Sequence, residues 1–290
     1  MIVRDSDSFA RKWKKFAADG IDHLVVIADF DYTLTTYHKN SGEQADTSHG
    51  ILSAGGSINE AMTSRGRALF QQFYPIEQST TLTDEEKLPH MIEWWNMEHQ
   101  NFVENGLTKS LLVEAVTDSS VLFRPGFHEL FTLLERNAVP TLIFSAGLSD
   151  VIRELLSKEY ASWNRSVPKN VHIVSNLMRF DPSGRLVGFQ DKLIHCLNKN
   201  ASVIVGTDFH KQIKMEKRHN ILLLGDSISD VRMAHGLEYE EDEIIRIGFH
   251  NTQTTERLDA YLEHFDVVLT EDASLFAVET FISLLKDQKV

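Results

Sequence analysis

The stretch Val25-Val-Ile-Ala-Asp-Phe-Asp-Tyr-Thr-Leu-Thr35 decides how the rest of the chain is read. Four apolar residues end in Asp29 and Asp31, with Phe30 between them. On a strand, residues two apart share a face, so the two carboxylates would point together while Phe30 turns away. Like charges that close repel unless a proton or a cation separates them. A buried strand ending this way predicts a site at its carboxyl end.

Similar apolar runs recur at 139–145, 171–176, 220–226, 243–249 and 266–270, rich in Val, Ile and Leu and separated by helical patterns. Strands of this kind predict a mostly parallel sheet covered on both faces, an α/β class with a Rossmann-like core. Between the first two runs, residues 57–73, 83–104, 108–117 and 125–136 read as helix, and Leu82-Thr-Asp-Glu-Glu-Lys87 writes a helix start. A helical insertion of that size after the first strand is expected to be a cap domain. The expected division is core over 1–40, helical cap over 41–120 and core again over 121–290. Residues 41–56, small and polar, read as a mobile loop leading into the cap, suited to a hinge. Residues 176–189 read as a hairpin turning at Asp181-Pro-Ser-Gly184.

The whole chain sets the bounds. Its 290 residues are 42% hydrophobic and 24% charged, ordinary for a globular protein with a large core. A formal charge of −13 argues against binding a nucleic-acid polymer or an anionic membrane, since both need a basic surface. No stretch approaches the ~18 apolar residues of a membrane span. The N-terminal Asp7–Gly20 segment is basic but holds acids and lacks an apolar export core. Cys196 is the single cysteine, so no internal disulfide can form, and its apolar neighbours suit a packed thiol. A cytoplasmic monomer is expected.

Ligands in open α/β sheets bind beyond the carboxyl ends of the strands. Residues there are Asp29 and Asp31, Ser145 in Ile143-Phe-Ser-Ala-Gly147, and Asp226 and Asp230 in Leu222-Leu-Leu-Gly-Asp-Ser-Ile-Ser-Asp230. A single aspartate after a strand is most often a turn former or helix cap. Two such pairs together point to a hard divalent cation held by oxygen, and magnesium fits better than calcium or zinc. No dense oxygen-rich loop is present, and His23, His38, His49, His90 and His99 lack the spacing of a zinc helix. Ser145 lacks the glycine of a serine-hydrolase elbow, Ile143 standing there instead. Its hydroxyl and small neighbours Ala146 and Gly147 suit donation to a phosphate oxygen. By spacing alone Lys192, Lys199 and Lys211 all remain open as the cation a phosphoryl group needs.

These motifs resemble those of the haloacid dehalogenase superfamily. More closely, the chain resembles the cytosolic 5′-nucleotidase III family of pyrimidine and 7-methylguanosine nucleotidases, through Phe73–Glu77, Leu82–Trp95, Ile143–Val151, Gly188–Lys199 and Ile221–Gly236. The resemblance implies a magnesium-dependent hydrolase of nucleoside 5′-monophosphates. Asp29 would be the nucleophile forming an aspartyl phosphate, and Asp31 the general acid and base. Magnesium would be held by the Asp29 and Asp226 carboxylates and the Asp31 carbonyl, with Asp230 orienting its waters. Ser145, Ala146 and Lys199 would hold phosphate.

In the cap, Glu77 would contact the base and Trp95 would offer a stacking face; the rival reading makes Trp94 and Trp95 both core residues. Glu98 stands where the family often has serine, and Trp95 where pyrimidine-preferring members tend to have tyrosine. An indole and two carboxylates would favour a cationic base such as 7-methylguanine. The rival readings are another small-molecule phosphatase, or a phosphotransferase with a nucleoside as acceptor.

Overall fold

The computed structural model describes residues 1–54, 58–79, 81–190, 192–252 and 257–286. Helix α1 (Ser6–Asp19) leads into β1 (Leu24–Ala28), which is buried along its whole length. Four helices follow: α2 (Ile51–Ala54), α3 (Glu60–Glu77), α4 (Asp84–Glu104) and α5 (Lys109–Asp118). Then come α6 (Phe127–Arg136), β2 (Thr141–Leu148), α7 (Ser149–Ser162) and β3 (Val171–Asn176). A hairpin of β4 (Met178–Phe180) and β5 (Leu186–Phe189) precedes α8 (Ala201–Ile204) and α9 (Asp208–Met215). The chain ends through β6 (Asn220–Gly225), β7 (Ile244–His250), α10 (Leu258–His264), β8 (Val267–Thr270) and α11 (Phe276–Lys286).

Six strands form one parallel sheet in the order β3-β2-β1-β6-β7-β8. Period-two alternation sorts β1 between two cores: Leu24, Val26 and Ala28 join one apolar cluster, Val25 and Ile27 the other. Both faces are therefore covered, as the unbroken apolar runs require. The chain leaves β1 toward β2 and β3, then returns on its other side as β6. That reversal opens a crevice at the carboxyl ends of β1 and β6, where Asp29 and Asp226 follow directly.

The helical region between β1 and β2 is built on the paired helices α3 and α4. Thr83 starts α4 with a reciprocal cap, its side chain on the Glu86 N–H and Glu86 on its own. Helix α3 runs to Glu77, four residues past the expected end at 73, despite Pro75. Proline removes one N–H only, and the turn closes through Gln78 N–H to the Tyr74 carbonyl at 3.0 Å.

The segment expected to be a mobile loop is partly anchored. Ala45, Ser48, Ile51 and Leu52 are buried, and the Tyr32 hydroxyl donates to the Ala45 carbonyl at 2.7 Å. Residues 55–57 of that stretch lie outside the described residues.

Candidate active site

Asp29 leaves β1 with its N–H still bound to the Leu224 carbonyl of β6, at 3.0 Å. Asp226 leaves β6 beside it. Asp230 sits in a 3₁₀ helix, Ile228–Ala234, where its Oδ2 accepts from the Ser227 N–H at 3.0 Å and closes a capping box. Gly225 makes room, since a Cβ there would overlap the Asp230 side chain. Ligand oxygens of Asp29, Asp226 and Asp230 all lie within 4.8 Å of one another.

Lys199 reaches this cluster from the loop before α8. Its Nζ donates to Asp29 Oδ1 at 2.6 Å and to Asp230 Oδ1 at 2.7 Å, and the residue is buried. Asn176, ending β3, pins the base of that loop by bonds to both backbone groups of Ile194. Of the three lysines left open by spacing, Lys199 alone reaches a site aspartate in the described contacts; Lys192 and Lys211 bind Ser202 and Asp208.

One ammonium among so many carboxylates leaves an excess of negative charge. Burial, opposed by Lys199 and reinforced by Asp230 and Asp31, pushes the Asp29 carboxyl up to about 7. Burial, reinforced by Asp230 and Asp29 and opposed by Lys199 and Arg124, raises Asp226 as well. Burial alone would lower Lys199, but Asp230 and Asp29 outweigh it and hold its ammonium above the usual range. An all-oxygen donor set with surplus negative charge fits a hard divalent cation.

Asp31 takes no part in that cluster through its carboxylate. It turns instead to Ser48, whose N–H donates to Oδ1 and whose hydroxyl donates to Oδ2, both at 2.6 Å. Burial pushes Asp31 up to about 6, against the pull of those two bonds. Ser145 is buried nearby, its oxygen accepting the Gly147 N–H at 3.0 Å, so its proton stays free to donate. The Ala146 carbonyl is held by Asn176 at 2.7 Å.

The loop bearing Asp31 bends through Tyr32 at φ 59°, left-handed for a bulky side chain. Buried Arg124 fixes it: its Nε donates to the Thr33 carbonyl at 2.8 Å and its Nη2 to the Tyr32 carbonyl at 2.6 Å. Its remaining donors go to Asn251, Asp272 and the Ala273 carbonyl.

The residues expected to meet the base are spread over the helical region. Glu77, at the last turn of α3, is pushed up by burial, opposed by a hydrogen bond from Cys196. Cys196 lies three residues before Lys199, so Glu77 comes down to the phosphate-side loop. Trp94 is buried among Leu69, Phe73 and Met91, while Trp95 is half-buried and packs on the His49 ring at 4.9 Å between centroids. Glu98 is buried where α4 meets α3, its Oε1 facing Gly66.

A profile of the family Pyrimidine 5′-nucleotidase (UMPH-1) matches residues 32–286. The chain belongs to this family. The 7-methylguanosine phosphate-specific 5′-nucleotidase of Gallus gallus is 40% identical over 259 residues, covering 89% of this chain and 86% of the relative. The corresponding enzyme A of Xenopus laevis is 35% identical over 283 residues, covering 98% and 94%. Among solved structures, cytosolic 5′-nucleotidase IIIB bound to cytidine superposes with a TM-score of 0.84 at 29% identity, over 99% of this chain and 94% of that one. A phosphoserine phosphatase carrying an analogue of its phospho-aspartyl intermediate matches at TM-score 0.50 and 16% identity, over 90% and 98%, which speaks for the fold alone.

The chain is thus a 5′-nucleotidase of haloacid dehalogenase fold. The matched span begins after Asp29 and Asp31, so the roles of these two rest on the geometry. Sequence reasoning missed Ser48, His49 and Arg124. Ser48 and His49 sit in a polar stretch with no periodicity, and Arg124 acts through carbonyls remote in sequence.

Proposed function

We propose that this nucleotidase hydrolyses nucleoside 5′-monophosphates with magnesium, through an aspartyl phosphate on Asp29, and that residues 41–120 act as its cap. The observation that carries this reading is the meeting of Asp29, Asp226 and Asp230 at the ends of β1 and β6, with Lys199 Nζ bound to Asp29 and Asp230. Asp29, Asp226 and Asp230 are the side chains suited to hold magnesium. When bound, the ion supplies the positive charge that this cluster lacks, keeping Asp29 ionised and balancing the phosphoryl oxygens.

Asp29 attacks phosphorus while Asp31 hands a proton to the departing nucleoside oxygen. Asp31 then takes a proton from the water that cleaves the acyl phosphate. A carboxyl pushed up to about 6 suits both duties near neutral pH. Lys199 and the Ser145 hydroxyl hold the phosphoryl oxygens, whose charge grows in the transition state.

The base would lie beside Trp95 and within reach of Glu77. Burial pushes His49 down to about 3, so the ring packed on Trp95 stays neutral and does not repel a cationic base. This favours 7-methylguanosine monophosphate, the nucleotide in the names of several relatives. Glu98, buried against α3, contributes less to that preference than Trp95 and Glu77. Cytosolic residence is proposed from the name of the solved relative; among the described residues no helix is long and apolar enough to cross a membrane.

Phosphate release should be measured over 7-methylguanosine, cytidine, uridine and guanosine monophosphates, with magnesium and with chelator. Release from the methylated nucleotide fastest, and silence with chelator, are expected. Equal rates on all four would remove the base preference, and full activity in chelator would remove the metal.

A further inference from the structure

We propose that Ser48 is the positioning residue that orients the acid–base carboxylate of Asp31, and that it does so from the segment leading into the cap. The inference rests on the role given above to Asp31 and adds what aligns it.

Three observations meet at this point. First, both carboxylate oxygens of Asp31 are bound by one residue: the Ser48 N–H to Oδ1 and the Ser48 hydroxyl to Oδ2, each at 2.6 Å. Such short bonds are those of a charged acceptor, and a carboxylate gripped at both oxygens cannot turn about its last torsion. Each oxygen keeps a further lone pair for the travelling proton.

Second, Ser48 is itself completely buried, and its segment is fastened to the Asp31 loop elsewhere. The Tyr32 hydroxyl donates to the Ala45 carbonyl at 2.7 Å, and the Ala45 N–H to the Tyr37 carbonyl at 2.8 Å. The segment is seated along the loop, with Ser48 at its inner end.

Third, the opposite wall is shaped for the Ser48 hydroxyl. A Cβ on Gly147 would overlap Ser48 Oγ and come to 3.2 Å from both Asp31 Oδ2 and Ser145 Oγ. Gly147 is not among the glycines at positive φ, so its backbone does not call for glycine. Space for the hydroxyl does.

The test is a mutant cycle on the full chain with a nucleoside monophosphate. Ser48→Ala should lower kcat by about 10- to 100-fold, part of the full worth of acid–base catalysis, with KM little changed. In an Asp31→Ala background the same change should cost nothing further, because residues acting as one unit are not additive. Gly147→Ala provides a second route: it should lower kcat with Ser48 present and lose much less in the Ser48→Ala background. If Ser48→Ala folds poorly, Gly147→Ala in the parent still serves, read as the loss of kcat together with the upfield move of the Ser48 amide proton.

The Ser48 amide proton gives a readout apart from turnover, expected downfield in the parent and moving upfield in Asp31→Ala. Unchanged kcat in Ser48→Ala, equal losses in both backgrounds, or a Ser48 amide indifferent to Asp31 would each overturn the inference while leaving the nucleotidase reading intact. A parent that releases no phosphate from any nucleotide would take down that reading and this one with it.

Discussion

The end proposed to hold phosphate and the end proposed to hold the base are both buried, yet they treat charge in opposite ways. At the ends of β1 and β6, burial pushes Asp29 and Asp226 toward the neutral form, but Lys199 stays charged because two carboxylates hold it. Under α3 and α4, burial prevails over its opponents, Cys196 and Lys87 at Glu77 and Asn101 and Arg65 at Glu98. It lowers His49 to about 3 and His99 to about 4 and raises Glu77 and Glu98, so all four drift toward neutrality. The comparison teaches a division of labour. A phosphoryl group is bound by charge set against charge, whereas a planar base is bound by desolvated rings and a few polar edges.

The most severe way to break this division is Asp29→Asn. Turnover should fall to background, since Asp29 is the nucleophile proposed above. Nucleotide binding, measured by calorimetry, should survive, because the cap contacts are untouched. Substantial residual turnover would mean that the nucleophile lies elsewhere.

On the cap side, Trp95→Ala should weaken nucleotide binding by about 1–3 kcal/mol, the worth of stacking one base on an aromatic ring. That is about 5- to 150-fold in KM, with kcat changing far less. A fall in kcat at constant KM would place Trp95 among the groups that act on the reacting phosphate.

The two regions also differed in how much of them could be read from the chain. Apolar runs ending in Asp29 and Asp226 announced the central strands and the place where these carboxylates meet, because two aspartate pairs at buried strand ends are harder to explain as turn formers or caps than one. Lys199 was another matter. Periodicity left it level with Lys192 and Lys211, and it is bonds such as the Asn176 clasp on Ile194 that turn its loop inward.

Ser48 and Arg124 were harder still. Ser48 lies in a polar stretch whose burial comes from contacts with the Asp31 loop. Arg124 binds the carbonyls of Tyr32, Thr33 and Ala273, and a backbone carbonyl leaves no signature in a sequence. What was legible is what a repeating pattern writes. What was hidden depends on which distant segments meet.

The mildest effects, and the sharpest for the comparison, lie in the pH dependence of stability. Asp29 and Asp31 have folded-state values of about 7 and 6, above the ~3.9 of an unfolded aspartate. Their contribution is fully present below about pH 4 and is lost as pH rises through 6 to 7. His49 and His99, at about 3 and 4, lie below the ~6.5 of an unfolded histidine. Their contribution is fully present above about pH 6.5 and is lost as pH falls toward 4.

Magnesium should cancel the Asp29 part of the first trend and leave the second alone. The rise in melting temperature on adding magnesium should therefore be small at pH 5 and grow toward pH 8; a rise equal at both would argue that the carboxylates carry no raised values. His49→Phe keeps a ring against Trp95 and removes a buried Nε2 that has no hydrogen-bond partner among the described residues. With magnesium present, it should reduce the loss of stability between pH 7 and pH 5. An unaltered slope would assign that loss to groups other than His49, His99 first among them.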